Sequence, residues 1–99
     1  MTRALYAEFT ALEGAEERVA ALVAGLTALV REEPGNLAFE PYTLETNQRH
    51  WFVYEVYQDE AAFQAHITAP YGAVFNAELA SLVEGGGSRL TWLVGAGAD

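Results

Sequence analysis

The chain has 99 residues, 52 % of them apolar and 19 % charged, which indicates one domain (1–99) that buries about 60 to 70 % of its unfolded surface and argues against disorder. Fourteen Asp or Glu stand against five Arg and no Lys, and the net charge of −9 repels nucleic acid, whose binding relies on cations set against phosphates. The absence of cysteine removes disulfides and thiolate metal sites, and no stretch offers a leader-like apolar run or the ~20 apolar residues of a membrane span, so the expected location is the cytoplasm, with no membrane partner.

Residues 4–12 alternate, with Leu5, Ala7 and Phe9 on one parity and Tyr6, Glu8 and Thr10 on the other, the period of a half-buried strand. Gly14 closes it. From Ala15 the period becomes helical, and Val19, Leu22, Val23, Leu26, Leu29 and Val30 form one apolar stripe. Glu13, Glu16 and Glu17 near its start and Arg31 near its end suit the helix dipole. Pro34 biases Glu33 away from helix, and Gly35 supplies a turn.

Residues 36–43 read as a second strand, in which Pro41 lacks an amide donor and belongs at an edge or a bulge. Residues 44–49 read as a polar hairpin connection. Trp51 to Tyr57 joins aromatic and β-branched residues into a central strand, both of whose parities are largely apolar. Asp59 is placed to cap a short helix of good helix formers that carries His66 about two turns in.

Thr68-Ala69-Pro70 breaks that helix and opens another with proline in its first turn. Its expected buried stripe is Tyr71, Val74, Phe75, Leu79, Leu82 and Val83, ended by the three glycines from Gly85. Residues 88–94 form a fourth strand with Leu90, Trp92 and Val94 on one face, and residues 95–99 read as a frayed tail. The order β-α-β-β-α-β is that of an α+β, ferredoxin-like sandwich. Apolar residues on both parities of the central strand call for cover on the second sheet face, which another copy of the chain would supply.

The run Pro34-Gly35-Asn36-Leu37 leading to Phe39, Glu40 and Tyr42, followed by Glu55-x-Tyr57-x-Asp59-x-x-Ala62-Phe63-x-x-His66, resembles the antibiotic biosynthesis monooxygenase (ABM) domain, and within it the small single-domain quinol monooxygenases. The resemblance covers nearly the whole chain. It implies a homodimeric α/β barrel with a pocket between helices and sheet in each subunit. It also implies oxygenation of a quinol or related polyphenol with O2, without metal or organic cofactor. Haem-degrading relatives use an Asn on the first strand with a Trp and a His on the helical segment. Here Ala7, Glu8 and Phe9 occupy the first region, His66 the place of the Trp, and Phe75 and Asn76 that of the His, which argues against haem degradation.

Oxygenation without a cofactor requires a base that makes the aromatic electron-rich enough to reduce O2. His66 is the best candidate, because imidazole is a neutral proton acceptor at working pH; the alternative is a histidine that only fills space between helix and sheet. Glu55, acidic within an apolar strand, must be paired, hydrogen-bonded or protonated if buried, and either assists His66 or bonds a tyrosine or arginine to fix structure. Asn36 either holds a substrate oxygen or serves ordinary turn chemistry after Pro-Gly.

Tyr42, Trp51, Tyr54, Tyr57, Tyr71 and Trp92 are the candidates for stacking or hydrogen-bonding a flat ligand, against the alternative that they are core. His50 beside Arg49 reads as a solvated residue at a strand entrance. Two histidines without cysteine and without H-E-x-x-H spacing disfavour a metal site. The rival function, from another class, is a small-molecule-binding or stress-response barrel without turnover.

Overall fold

The computed structural model describes residues 1–97. Alternation at the N-terminus produces β1 (Arg3–Thr10), in which Leu5, Ala7 and Phe9 are buried on one face. Helix α1 (Glu16–Val30) buries Val19, Val23, Thr27 and Val30, while Leu29 from the expected stripe faces outward. Thr27 tolerates its buried position because its hydroxyl donates to the Val23 carbonyl at 2.7 Å. Arg31 closes the helix by donating to the Phe39 carbonyl from Nε (3.1 Å) and Nη2 (2.9 Å), which ties α1 to the next strand.

Gly35 lies in the turn after α1, as expected, where the Asn36 amide donates to the Glu33 carbonyl at 3.1 Å. Gly35 does not adopt positive φ, unlike Gly14, Gly85 and Gly86. Its role is close approach: a Cβ there would stand 2.3 Å from the Cβ of Ala62. The Gln58 amide donates to the Gly35 carbonyl at 2.9 Å, so the turn is fixed against the far end of the hairpin that follows.

That hairpin is β2 (Asn36–Leu44) and β3 (Asn47–Tyr57), and Leu44 pairs with Asn47. Residues 44–49 are therefore not a long connection. The strands continue through them to a two-residue turn at Glu45-Thr46, because polar strand residues at a solvent-exposed hairpin end lack the apolar alternation that marks a strand in sequence. Pro41 lies opposite Val53 on β2, and β2 is an edge strand, where a missing donor is tolerated.

Helix α2 (Glu60–Thr68) begins at Asp59, whose carboxylate accepts from the Ala62 amide at 2.8 Å. Helix α3 (Pro70–Ala80) opens with proline in its first turn and buries Leu79. Val74 is exposed rather than buried, and Leu82 and Val83 lie past the helix end, where Val83 bridges to Ala11. A 3-10 turn (Glu84–Gly86) leads to β4 (Arg89–Leu93). The segment assigned to a frayed tail leaves β4 as non-regular chain, and residues 98 and 99 lie outside the described residues.

The four strands form one antiparallel sheet in the order β2-β3-β1-β4. The fold is α+β and ferredoxin-like, with its helices packed on one sheet face. Ala7, Phe9, Val53 and Phe39 meet Val19, Val23, Val30 and Leu79 there, and Leu5 packs in a second cluster with Tyr57 and Phe63. The opposite face carries Tyr6 stacked on Phe52 at 4.4 Å, with Tyr54 beside Tyr6 and Glu40 in register, and Tyr42 beside Phe52. His50 also lies there and is not solvated as expected. Its Nε2 is 3.0 Å from Glu8 and its Nδ1 2.8 Å from the Thr10 hydroxyl.

Candidate functional site

Three elements converge on the ring of His66. The strand β3 presents Val53, Glu55 and Tyr57 to the helical layer on alternate positions, and all three are buried. The Asp59 cap starts α2 immediately beyond, so His66 returns over the strand that precedes it. The turn after α1 supplies Glu33.

His66 Nδ1 lies 3.1 Å and 3.2 Å from the two carboxylate oxygens of Glu33. On the other side of the ring, Nε2 lies 3.7 Å from Glu55 Oε1. A carboxylate only accepts, so Glu33 draws a ring proton to Nδ1, and Nε2 is turned toward Glu55 and the interior. The side chains of His66 and Glu33 are each 16 % exposed and that of Glu55 7 %, so these charges act in a largely water-poor setting.

Aromatic rings hold the imidazole. Tyr57 lies 4.9 Å from it between centroids, Phe63 6.2 Å and Phe39 6.4 Å. The Tyr57 hydroxyl donates to Glu55 Oε1 at 2.8 Å, and the Tyr71 hydroxyl donates to Glu33 Oε2. Burial pushes the Glu55 carboxyl above the ordinary carboxylate range, opposed by the Tyr57 hydrogen bond and by the charge of His66. Burial and the adjacent Glu55 also push the Tyr57 phenol up, and burial with the Glu33 contact pushes Tyr71 up to about 12. Both tyrosines are thus neutral donors to carboxylates.

Glu55 and His66 form the polar end of a cavity of about 150 Å³ between the sheet and the helices. Leu5, Ala7 and Phe9 of β1 line its sheet side, and Val23, Leu26 and Phe75 its helix side. Asn76 and Ser88, both exposed, mark its opening to solvent.

The other sequence candidates fall elsewhere. Tyr42 and Tyr54 lie on the opposite sheet face, since their parity on β2 and β3 is that of Phe52 and Tyr6. Trp51 is on the helical side but packs on Phe9 at 6.1 Å, outside the cavity wall. Trp92 meets Phe63 edge-on at 4.7 Å and carries the Arg3 guanidinium over its ring at 4.1 Å. Tyr71 serves Glu33 and faces a surface groove between α1 and α3.

Asn36 donates to the Ala38 carbonyl at 3.0 Å and borders Tyr57, so the turn reading fits its contacts. Glu33 is the residue sequence reasoning missed: it read only as the residue before a proline. Among the described residues no group of three or more ligating side chains converges on a metal position. Glu33 and Glu55 approach opposite nitrogens of one ring, so they cannot meet at a single ion.

The family model of antibiotic biosynthesis monooxygenases matches residues 2–78. An isomerase of (4S)-4-hydroxy-5-phosphonooxypentane-2,3-dione from Yersinia enterocolitica is 36 % identical over 61 residues, which are 62 % of this chain and 64 % of the isomerase. The match therefore spans less than two thirds of that relative. The Mycobacterium tuberculosis protein Rv0793 superposes with a TM-score of 0.90 at 19 % identity, over 99 % of this chain and 98 % of its own. Pseudomonas aeruginosa PA3566 does so with 0.88 at 21 % identity, over 97 % and 95 %. These two likenesses bear on the fold. With a family model matched across most of its length and a fold shared with these structures, the chain belongs to the antibiotic biosynthesis monooxygenase family.

Proposed function

We propose that the protein is a cofactor-independent monooxygenase that oxidises a quinol or related phenol with O2 in the cavity below His66. The observation that carries this reading is the placement of one imidazole between two carboxylates at the polar end of an otherwise apolar hollow. Family membership supports the reaction class.

Chemistry in such a site begins with transfer of the substrate hydroxyl proton to His66 Nε2. Glu33 and Glu55 flank the imidazolium that forms, and stabilisation of developing charge by fixed groups in a water-poor site lowers the barrier. The phenolate then gives one electron to O2, and the aryloxyl radical and superoxide combine at a ring carbon to form a C–O bond. Protonation gives a hydroperoxide. Removal of the hydrogen on that carbon, cleavage of the O–O bond and loss of water leave a new carbonyl. For hydroquinone the balance is one quinol and one O2 to one hydroxyquinone and one water. The apolar walls keep bulk water from the peroxide.

The reading includes a homodimer in the cytoplasm, packed through the sheet face that bears Tyr6, Phe52, Tyr54 and Tyr42. That face is rich in aromatic surface and lacks helices, which favours cover by a second copy. Incubation of the metal-free protein with hydroquinone under air and under nitrogen tests the proposal: product is expected only with O2, and equal product from His66→Ala would remove His66 from the mechanism.

A further inference from the structure

We infer that the cavity selects an uncharged phenol of one ring and rejects phosphorylated ligands, a claim that rests on the reading that this cavity is where the substrate sits. Size sets the first half. The hollow measures about 150 Å³, and an apolar protein cavity of about that volume admits benzene.

Charge sets the second half. The polar residues that line the cavity are Glu55, His66, Asn76 and Ser88, and none is a lysine or arginine. Glu33 adds a second carboxylate immediately behind His66. The arginines that could have been recruited are committed to other carboxylates: Arg3 to Glu60, Arg31 to Glu40, Arg49 to Glu84 and Arg89 to Glu8. Arg18 is exposed on α1 and does not line the cavity.

A phosphate group entering this hollow would lose its hydration, meet no cation and face one carboxylate on the wall with another behind the ring. A phenol meets a hydrogen-bonding end for its hydroxyl and apolar walls for its ring. At the mouth, Asn76 and Ser88 offer neutral donors and acceptors to a second polar substituent.

The test is calorimetric titration under nitrogen, so that binding is read without turnover. The probes are hydroquinone and 4-hydroxyphenyl phosphate, which share the ring and one hydroxyl. Hydroquinone is expected to bind at least about 100-fold more tightly than its phosphate ester. Leu90→Arg, at a half-exposed lining position on β4, is expected to narrow that ratio at least tenfold, while Ala7→Leu, which fills the hollow, removes hydroquinone binding in a protein that retains its circular dichroism.

Equal affinities for the two probes, no binding of hydroquinone, or an unchanged ratio in Leu90→Arg would each overturn the inference. Hydroquinone that binds as stated but yields no product in air would sink the oxygenation reading and leave this one standing.

Discussion

Glu33 and His66, 33 positions apart in the chain, meet at 3.1 Å, so the turn after the first helix sets the orientation of the imidazole carried by the second. The ring is thereby held with one nitrogen bound and the other directed at Glu55 and the cavity. A carboxylate in this place acts through His66 and does not line the cavity wall.

Glu33→Gln is therefore expected to lower kcat with little change in KM. A hydrogen bond to a charged group contributes about 1.5–3 kcal/mol, which corresponds to about 10- to 100-fold in rate. An unchanged kcat would reduce Glu33 to a structural contact.

Glu55 makes stability depend on pH in a definite direction. Its folded pKa is raised above the unfolded value of about 4.5, so the folded state binds the proton more tightly. The contribution is full below pH 4.5 and is lost as pH rises through the folded pKa. Glu55→Gln keeps an acceptor for Tyr57 and removes that loss. Urea denaturation of both proteins between pH 4.5 and 8 should show the variant gaining on the wild type as pH rises, and parallel curves would contradict the buried-carboxyl account.

Gly35 is held by space and not by φ. A methyl group there meets the Ala62 Cβ at 2.3 Å, and overpacking of this kind costs about 1–3 kcal/mol. Gly35→Ala should lower the unfolding free energy measured in urea by that amount, and Ala62→Gly in the same chain should recover part of it after allowing for its own helix cost of about 1 kcal/mol. Additive losses in the double variant would show that the two positions do not collide.

The sheet face bearing Phe52 and Tyr54 predicts assembly. Sedimentation should give about twice the monomer mass, and Tyr54→Glu should yield a folded monomer. A wild-type monomer at tens of micromolar would leave the aromatic face without the proposed cover.

Much of this architecture was legible in the residues. The β1 alternation, the Asp59 cap and Pro70 are local signals, and each determines structure within a few positions of itself. The polarity of residues 47–50 hid a strand, because an exposed hairpin end carries no apolar alternation. On β3 both parities are apolar, so nothing local told Tyr57 from Tyr54; the helices decide which face is inside, and that decision is tertiary. Glu33 was hidden for the same reason. Its partner is created by the fold, and a glutamate before proline carries no mark of it.

The most direct measurement is oxygen uptake during aerobic turnover of hydroquinone by the metal-free protein and by His66→Ala. The wild type should consume one O2 for each quinol converted to hydroxyquinone, at a rate about 10²–10⁴ times that of the variant, the range expected for a positioned general base. Equal rates in the two proteins, or uptake no faster than in buffer, would contradict the account.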